Sequence, residues 1–350
     1  MRILHVIPSL HAGGAERQIA LHANALVARG HEITIALLRE GPMRSLVGPA
    51  VAVEQLASSG NYDPRIMTRI LRLLRRLKPD VVQSWLPQMD VLVGAATRVR
   101  RVPWLLNERS SRLKYQGGSL QHRVRIAFGK RADAIVSNSE GGLRYWDEVG
   151  ATRPLRRLIP NIVPTPSLTP AEKGARPLIA YVGRLTDGKN VPVLVDALAA
   201  VPEADAIFCG NGPLEASLRA QVAMRGLSNR VTFAGFVQDV PPVLARADVL
   251  VLLSDFEGQP NAVLEAMSCG CPVVVSDIPA HRELLDDESA IFVNGRDPHG
   301  VAQALEATLR DAAKARARAA RARERSAGFQ AERVALAYEQ LYLELTGRRV

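Results

Sequence analysis

The sequence predicts an α/β protein made of two doubly wound domains, each a parallel sheet with helices on both faces. Short, almost wholly apolar strands alternate with helical segments along the 350 residues, as in sheets that are buried on both sides. The alternation stops at a proline-rich stretch, residues 160–177, and then resumes. A chain of this length suits two domains, each large enough to bury a core.

The first domain opens with a βαβ unit. Ile3–Ile7 is the first strand, a glycine-rich turn follows at His11–Gly14, and a helix runs from Ala15 to about Arg29, after which Gly30 ends it. Glu32–Leu38 is the second strand. The same pattern then predicts an amphipathic helix at Pro64–Leu77 and strands at Val51–Leu56, Val81–Ser84, Trp104–Asn107 and Ala134–Ser137.

The second domain repeats this alternation, with strands predicted at Leu178–Val182, Ala206–Cys209, Val231–Ala234, Val249–Leu253 and Val273–Ser276. The Ala/Arg-rich tract Ala312–Arg325 is typical of a solvated helix. A last helix, Ala331–Leu345, has apolar side chains with which to dock. The predicted domains are therefore residues 1–165 and 166–325, with a C-terminal helical segment at 326–350.

Composition excludes several classes of protein. The chain is 47% apolar and 23% charged, which is ordinary for a globular protein and not for a disordered one. Its apolar runs fall far short of the roughly 20 residues that span a bilayer, and no secretory signal is recognised at the N-terminus. Three cysteines at this spacing predict neither a disulfide framework nor a zinc site, so we expect no metal and a cytoplasmic location.

The charge is unevenly distributed. Residues 1–165 hold 25 Lys and Arg against 12 Asp and Glu, a net charge of +13, whereas residues 166–350 hold 20 against 23, a net charge of −3. Only the first half is therefore expected to meet a polyanion. No aromatic residues alternate with the basic clusters in a stacking pattern, which disfavours nucleic acid. Peripheral contact with the anionic inner face of the cell membrane is the better expectation.

The first candidate for chemistry is the loop Gly183–Asn190 (GRLTDGKN), which follows a predicted strand. It has the G-x-x-x-x-G-K frame of a phosphate-binding loop, but Asn190 stands where a magnesium-binding Ser or Thr is required. A kinase or ATPase is therefore disfavoured. Arg184 and Lys189 can still point at a diphosphate, the alternative being a solvated strand–helix connection.

The second candidate is the segment Glu257–Glu265 (EGQPNAVLE), which follows an apolar strand. A helix is predicted to begin near Asn261 and to stop at Gly270, so its first backbone N–H groups are available to bind phosphate. Glu257 would lie beside that anion and accept hydrogen bonds from sugar hydroxyls, while Glu265 would hold a ribose diol. The spacing of the two glutamates alone also fits two ordinary surface residues.

Several blocks in order resemble one family. Residues 254–284 (SDFEGQPNAVLEAMSCGCPVVVSDIPAHREL) are similar to the C-terminal signature of family 4 retaining glycosyltransferases with the GT-B fold, in which two Rossmann-like domains face each other across a cleft. Further matching blocks cover almost the whole chain: HVIPSLHAGGAERQIA, IPNIVP, YVGRLTDGKNVPVLVDA, CGNGPLEASL and VTFAGFVQDV.

The resemblance implies transfer of a sugar from a nucleoside-diphosphate donor to a hydroxyl, with retention of configuration and without metal or other cofactor. It assigns Arg184, Lys189 and Glu257 to catalysis. It assigns donor binding to a larger set of residues. Two pairs of glycines let the donor come close to the backbone, two residues flank the base, and the segment around the helix start holds the sugar and the phosphate. These residues are Gly13, Gly14, Gly210, Gly212, Phe236, Val237, Gln259, Pro260, Asn261, Ala262, Val263 and Glu265.

One departure concerns the acceptor side. Many members carry a histidine in the blocks that here read SWLPQMD and LNERS, and neither block contains one. Gln88, Glu108 and Arg109 occupy that neighbourhood, and His11 is the remaining histidine candidate. A front-face reaction would let the leaving phosphate oxygen take the acceptor proton instead.

The acceptor is expected to be lipid-linked or a glycan precursor, and a UDP-sugar is favoured over GDP-mannose. The donor sugar, the linkage and the oligomeric state stay open. Two other function classes also stay open: a nucleotide-sugar epimerase or phosphorylase on the same scaffold, and a non-catalytic nucleotide-sugar binder.

Overall fold

The structure, a computed structural model, describes residues 1–11, 13–60, 63–110, 119–164 and 174–348. The chain forms two compact units: unit 1 is Met1–Ile162 with Phe329–Val350, and unit 2 is Val163–Gly328. The predicted boundary between residues 165 and 166 lies outside the described residues. The chain re-enters unit 1 shortly after the predicted boundary between residues 325 and 326.

Unit 1 is built on a parallel sheet. Its strands are β1 (Arg2–Ser9), β2 (Glu32–Arg39), β3 (Ala52–Gln55), β4 (Val81–Trp85), β5 (Trp104–Glu108), β6 (Ala134–Ser137) and β7 (Leu155–Leu158). In the described residues they lie in the order β3-β2-β1-β4-β5-β6-β7, and every pairing is parallel. The central strands are buried along nearly their whole length, which explains their continuous apolar sequence.

Helices cover this sheet: α1 (Gly14–Ala28), α2 (Arg65–Leu77), α3 (Pro87–Arg100), α4 (Leu120–Gly129), α5 (Glu140–Glu148) and, from the end of the chain, α13 (Ala331–Thr346). Helix α2 shows the predicted amphipathic pattern, because Ile66, Ile70, Leu73 and Leu74 are buried and most of its arginines are exposed.

Unit 2 repeats the plan. Its strands are β8 (Leu178–Val182), β9 (Asp205–Cys209), β10 (Val231–Gly235), β11 (Val249–Leu252), β12 (Val273–Ser276) and β13 (Ile291–Val293). They lie in the order β10-β9-β8-β11-β12-β13, again all parallel. The helices are α6 (Val191–Ala199), α7 (Glu215–Met224), α8 (Pro241–Arg246), α9 (Asn261–Cys269), α10 (Pro279–Arg282), α11 (Pro298–Arg310) and α12 (Ala312–Ser326).

Each sheet has one point at which the strand order reverses, between β1 and β4 in unit 1 and between β8 and β11 in unit 2. In open α/β sheets, ligands bind beyond the carboxyl ends of the strands at such a reversal, because the two connecting segments diverge there and leave a crevice. The loops after these four strands are therefore where site residues are expected.

Two strands and one helix differ from the sequence expectation. Strands β7 and β13 are edge strands that the sequence analysis missed, since one is half exposed and contains two arginines and the other is three residues long. Helix α12 is not wholly solvated. Ala315, Ala319 and Ala322 recur at helical spacing and are buried where α12 packs on α9, with arginines on the outer face.

Helix α13 is anchored in unit 1 by buried hydrogen bonds. The hydroxyl of Tyr342 donates to Gln83 Oε1 at 2.6 Å, and that of Tyr338 donates to Asn107 Oδ1 at 3.1 Å. At the rim of the same helix, the guanidinium of Arg29 pairs with Glu339. These contacts explain why a segment so distant in sequence belongs to unit 1.

Candidate functional site

The residues predicted to hold a diphosphate lie in the two loops that flank the reversal point of unit 2. Arg184 and Lys189 follow β8, and Glu257 and helix α9 follow β11. Because β8 and β11 are neighbouring parallel strands, both loops emerge at the same end of the sheet, the carboxyl end of the strands. The fold thus explains why segments about seventy residues apart meet.

Lys189 and Glu257 form the central contact. Lys189 Nζ is paired with Glu257 Oε1, which also accepts a hydrogen bond from Ser254 Oγ at 2.7 Å. The two side chains are 22% and 15% exposed, so they are shielded but open to a ligand. Burial acts to raise the pKa of Glu257, but the charge of Lys189 and the two hydrogen bonds outweigh it and hold that pKa below its ordinary value. Glu257 is therefore a carboxylate at neutral pH.

Asn190 ties the two loops together. Its Nδ2 donates to the carbonyl of Leu253 at 2.9 Å and to Asp255 Oδ1 at 2.7 Å. In return the amide of Asp255 donates to the carbonyl of Gly188 at 3.0 Å. Asn190 has φ of 50°, a left-handed conformation that asparagine tolerates better than most residues. The residue that lacks the hydroxyl of a magnesium-binding loop thus fixes the distance between Lys189 and Glu257.

The N-terminus of α9 lies at the same carboxyl end of the sheet. The helix begins at Asn261, as predicted, and ends at Cys269, with Gly270 as its C-cap at φ of 66°. Pro260 precedes the helix and no side chain caps it. The first-turn amides of Ala262 and Val263 therefore make no intrahelical or capping hydrogen bond and can donate to a ligand. Glu265 lies one turn further on and is 5% exposed, while Gln259 is half-buried.

The structure does not join Arg184 to this cluster by a direct contact. Its side chain is exposed, and its carbonyl accepts a hydrogen bond from the hydroxyl of Tyr181 at 2.8 Å. Burial, and then the nearby charge of Glu257, raise the pKa of that hydroxyl, which keeps it protonated as a donor. Tyr181 thereby fixes the backbone from which Arg184 projects.

Gly210 and Gly212 lie against protein backbone, which gives their small size a packing reason beside the predicted role in donor binding. A Cβ on Gly210 would stand 1.9 Å from the carbonyl oxygen of Gly183, and one on Gly212 would stand 2.2 Å from that of Leu185. The loop after β9 packs directly on the loop after β8, and only glycine leaves room for it. Phe236 and Val237 follow the neighbouring edge strand β10 and are half-buried.

In unit 1, predicted residues again flank the reversal point. His11, Gly13 and Gly14 follow β1, and Gln88 lies in the first turn of α3, directly after β4. His11 is exposed, Gln88 is half-buried, and Gly14 begins α1. Gly13 precedes α1 in an extended conformation, and the space that its Cβ would take is filled by the carboxylate of Glu16.

Glu108 is placed differently from its predicted acceptor-side position. It is fully buried, and its Oε2 accepts from Arg125 Nη2 at 2.8 Å. Arg125 is itself 1% exposed and also pairs with Asp90 at 2.7 Å. A buried arginine between two carboxylates supports the packing of α3 and α4 and offers no face to an acceptor.

Arg109, by contrast, is half-buried and directed at the docked C-terminal helix. Its guanidinium lies 4.4 Å from the ring centre of Trp85 and donates to Tyr338 Oη at 2.9 Å and Asn161 Oδ1 at 2.8 Å. These contacts give Arg109 a structural task.

Several residues at the proposed donor site were not found from the sequence: Ser254, Asp255, Tyr181 and His281. His281 is fully buried, and its Nδ1 lies 2.8 Å from the carbonyl oxygen of Ser276. Burial lowers the pKa of His281, although the hydrogen bond with Ser276 acts to raise it. The lowered pKa favours a neutral ring beside the Lys189–Glu257 pair. Ser254 and Asp255 directly precede the glutamate block, so their position in the same loop was the available signal.

Two absences hold for the described residues. They contain no cluster of three or more His, Cys, Asp and Glu side chains placed to hold a metal ion. None of their helices combines the length and the apolar character needed to cross a bilayer.

Two family models match the chain in succession. The model described as Glycosyltransferase Family 4 matches residues 12–166, and the model described as Glycosyl transferases group 1 matches residues 176–311. Among similar curated proteins, the lipopolysaccharide core biosynthesis glycosyltransferase LpsE of Rhizobium meliloti is 28% identical over 340 residues, covering 94% of this chain and 95% of that protein. A GDP-mannose-dependent phosphatidylinositol dimannoside mannosyltransferase of Mycobacterium tuberculosis is 27% identical over 335 residues, covering 89% and 85%.

Solved structures share the fold. Anabaena HepE in complex with UDP-glucose superposes with a TM-score of 0.86 at 20% identity, covering 98% of this chain and all of that one. Sucrose-phosphate synthase from Thermosynechococcus elongatus gives 0.85 at 22% identity, covering 99% of both chains. These likenesses show that the two doubly wound units form the GT-B fold. The matched models assign the chain to glycosyltransferase family 4.

Proposed function

We propose that this glycosyltransferase moves a sugar from a nucleoside-diphosphate donor, with a UDP-sugar favoured, to a hydroxyl of a lipid-linked or glycan-precursor acceptor, with retention and without a metal ion. The observation that carries the proposal is the Lys189–Glu257 pair, held beside the uncapped start of α9 at the reversal point of unit 2. Two of the relatives support the proposed acceptor class, since one is a glycosyltransferase of lipopolysaccharide core biosynthesis and the other a phosphatidylinositol dimannoside mannosyltransferase.

The chemistry follows from where charge develops. As the bond to the sugar breaks, negative charge accumulates on the leaving diphosphate, and preorganised donors at that position lower the barrier. Lys189 and Arg184 supply cationic donors, and the amides of Ala262 and Val263 supply the helix N-terminus. Neutralisation by protein groups is the basis for proposing a metal-independent reaction.

Glu257 has two tasks in this scheme. Before the donor arrives it holds Lys189 in place, and once the diphosphate competes for the lysine, its carboxylate is available to a sugar hydroxyl. Glu265 would hold the ribose, and Phe236 and Val237 would border the base. On the acceptor side, the leaving phosphate oxygen takes the acceptor proton, or His11 does, and Gly13 and Gly14 let the backbone come close.

The test is a thermal-shift screen against UDP- and GDP-sugars, followed by turnover with a lipid-linked acceptor in the presence of EDTA. A donor at one hundred times its dissociation constant stabilises the folded protein by about 2.7 kcal/mol. Lys189→Met and Glu257→Gln are expected to lose at least about a hundredfold in kcat. The exposed Lys314→Met serves as the matched control. Full turnover in both site variants contradicts the proposal, and the product's anomeric configuration by NMR checks retention.

The same assays separate the rival functions. An epimerase converts the nucleotide sugar without acceptor, and a phosphorylase requires inorganic phosphate. A binding protein shows the thermal shift and no product across an acceptor panel. Release of nucleoside diphosphate only when acceptor is present supports the transferase.

A further inference from the structure

Unit 1 carries a pocket that belongs to none of the predicted sites. Two adjoining cavities of about 630 and about 300 Å³ share Arg131 and Arg153 in their walls. We call the two together the basic pocket, because six cationic side chains line it: Arg98, Arg101, Arg123, Lys130, Arg131 and Arg153.

The basic pocket lies at the end of the sheet where the strands begin, opposite the end that holds the acceptor-side residues. Its lining residues come from α3, α4 and the connections that lead directly into β5, β6 and β7. In a parallel sheet these connections meet at the amino ends of the strands, whereas Gln88 and Arg109 follow carboxyl ends. A strand of five residues separates the two edges by roughly 16 Å, so one small ligand cannot occupy both.

The charge of the basic pocket is not balanced internally. In the described part of the chain none of the six cations forms an ion pair with Asp or Glu, although elsewhere on the surface many arginines do. The one carboxylate among the lining residues is Asp133, whose Oδ2 accepts the amide of Trp104 at 2.8 Å. Unbalanced cations around a concave surface attract and concentrate anions.

Helix stability accounts for only part of this arrangement. Arg98, Arg101, Lys130 and Arg131 lie at helix C-termini, where a cation complements the helix dipole. Arg123 does not, because it lies near the start of α4, where a positive charge is unfavourable. Arg101 is also the C-cap of α3 with φ of 53°, a conformation usually left to glycine. Helix stability therefore explains neither the charge of Arg123 nor the left-handed conformation of Arg101, and a ligand offers the better explanation.

We propose that the basic pocket binds a ligand with at least two closely spaced phosphate groups. The planar guanidinium groups of arginine match phosphate oxygens in pairs, and five of the six cations are arginines. The helices that carry these cations also expose apolar side chains: Val99 of α3 is 66% exposed, and Leu120 and Val124 of α4 are 75% and 36% exposed. Exposed apolar residues on the same helices favour the headgroup of a lipid as the source over a free phosphate. The inference does not rest on the proposed transferase reaction.

The test compares two double variants of the full chain that change its charge equally. Arg131→Glu/Arg153→Glu alters the cations shared by both cavities, and Arg72→Glu/Arg75→Glu alters exposed cations of α2 in the same unit. Vesicle flotation with cardiolipin, whose headgroup carries two phosphates, against phosphatidylcholine, probes the lipid source. Titration with inorganic tripolyphosphate probes the free source, in a Lys189→Ala background that removes a cation of the proposed donor site. Thermal unfolding confirms that all variants fold.

We expect the pocket variant to lose at least about tenfold in affinity for one probe, while the α2 variant keeps it. Binding to vesicles identifies a lipid headgroup, and binding to tripolyphosphate alone identifies a soluble phosphate ligand. Equal loss in both variants would mean that general basic charge, and not this pocket, attracts the anion. That result, an unaffected pocket variant, or no binding of either probe overturns the proposal.

Discussion

Replacing Asn190 should weaken unit 2 and slow transfer by a predictable amount. The substitution to glycine removes the hydrogen bond to the carbonyl of Leu253, worth about 1 kcal/mol, and the bond to the Asp255 carboxylate, worth about 1.5 kcal/mol. Alanine loses both bonds and must also adopt φ of 50°, which costs roughly 1 kcal/mol more than for glycine. The expected losses in free energy of unfolding are therefore about 2.5 kcal/mol for Asn190→Gly and about 3.5 kcal/mol for Asn190→Ala.

The assay can separate the two units. All three tryptophans, Trp85, Trp104 and Trp146, lie in unit 1, so their fluorescence reports unfolding there. Far-ultraviolet circular dichroism reports both units. Urea unfolding of the Asn190 variants should shift the dichroism transition more than the fluorescence transition. In kinetics, kcat should fall more than KM rises, because the hydrogen bonds of the Asn190 side chain go to protein groups that hold the loops of Lys189 and Glu257 together. Equal stability of the two variants, together with wild-type kcat, would refute this account of the loop.

Three further predictions test other features. Acidification from about pH 7.5 to pH 5 should destabilise unit 1 by about 2 kcal/mol through His5 alone, which urea unfolding followed by tryptophan fluorescence measures. Burial, and then the charge of Arg109, lower the pKa of His5 to about 3 in the folded protein. The stability that His5 contributes is therefore complete above its unfolded pKa of about 6.5 and is lost as the pH falls below that value. Gly212→Ala should cost about 1–3 kcal/mol, because its Cβ would meet a backbone oxygen that cannot move alone, and thermal unfolding checks this. Arg125→Met should cost about 3–5 kcal/mol at pH 7.5, since it removes the arginine between two buried carboxylates. The deficit relative to wild type should shrink at lower pH as Asp90, whose pKa burial raises to about 6, takes up a proton.

The central strands of both sheets could be predicted from the sequence, because a strand that is buried on both faces consists of consecutive apolar residues. Most predicted strands agree with the structure to within one or two residues, and α9 begins at Asn261 and ends before Gly270. The meeting of Lys189 with Glu257 was also accessible, since parallel strands bring their following loops to one edge. Edge strands β7 and β13 were missed because they are too short or too polar to give that signal.

Contacts made through backbone or through charge burial could not be predicted. Gly210 and Gly212 look like ligand-approach glycines in sequence, yet the atoms that exclude a Cβ are carbonyl oxygens of the neighbouring loop. Glu108 lies in the segment where an acceptor residue is expected. Its burial depends on Arg125, whose approach is set by the packing of α3 on α4. Sequence spacing contains no record of such three-dimensional partners.

Asn190 shows how one substitution in a familiar frame redirects its chemistry. A Ser or Thr at this position would present a hydroxyl oxygen to a magnesium ion. The amide nitrogen of Asn190 is instead a donor, and it is directed at the carbonyl of Leu253 and the carboxylate of Asp255. That arrangement adds a link between the loops where the phosphate-binding frame would have supplied a metal ligand. In the proposed reaction, charge compensation at this end of the sheet would therefore come from Lys189, Arg184 and the first amides of α9.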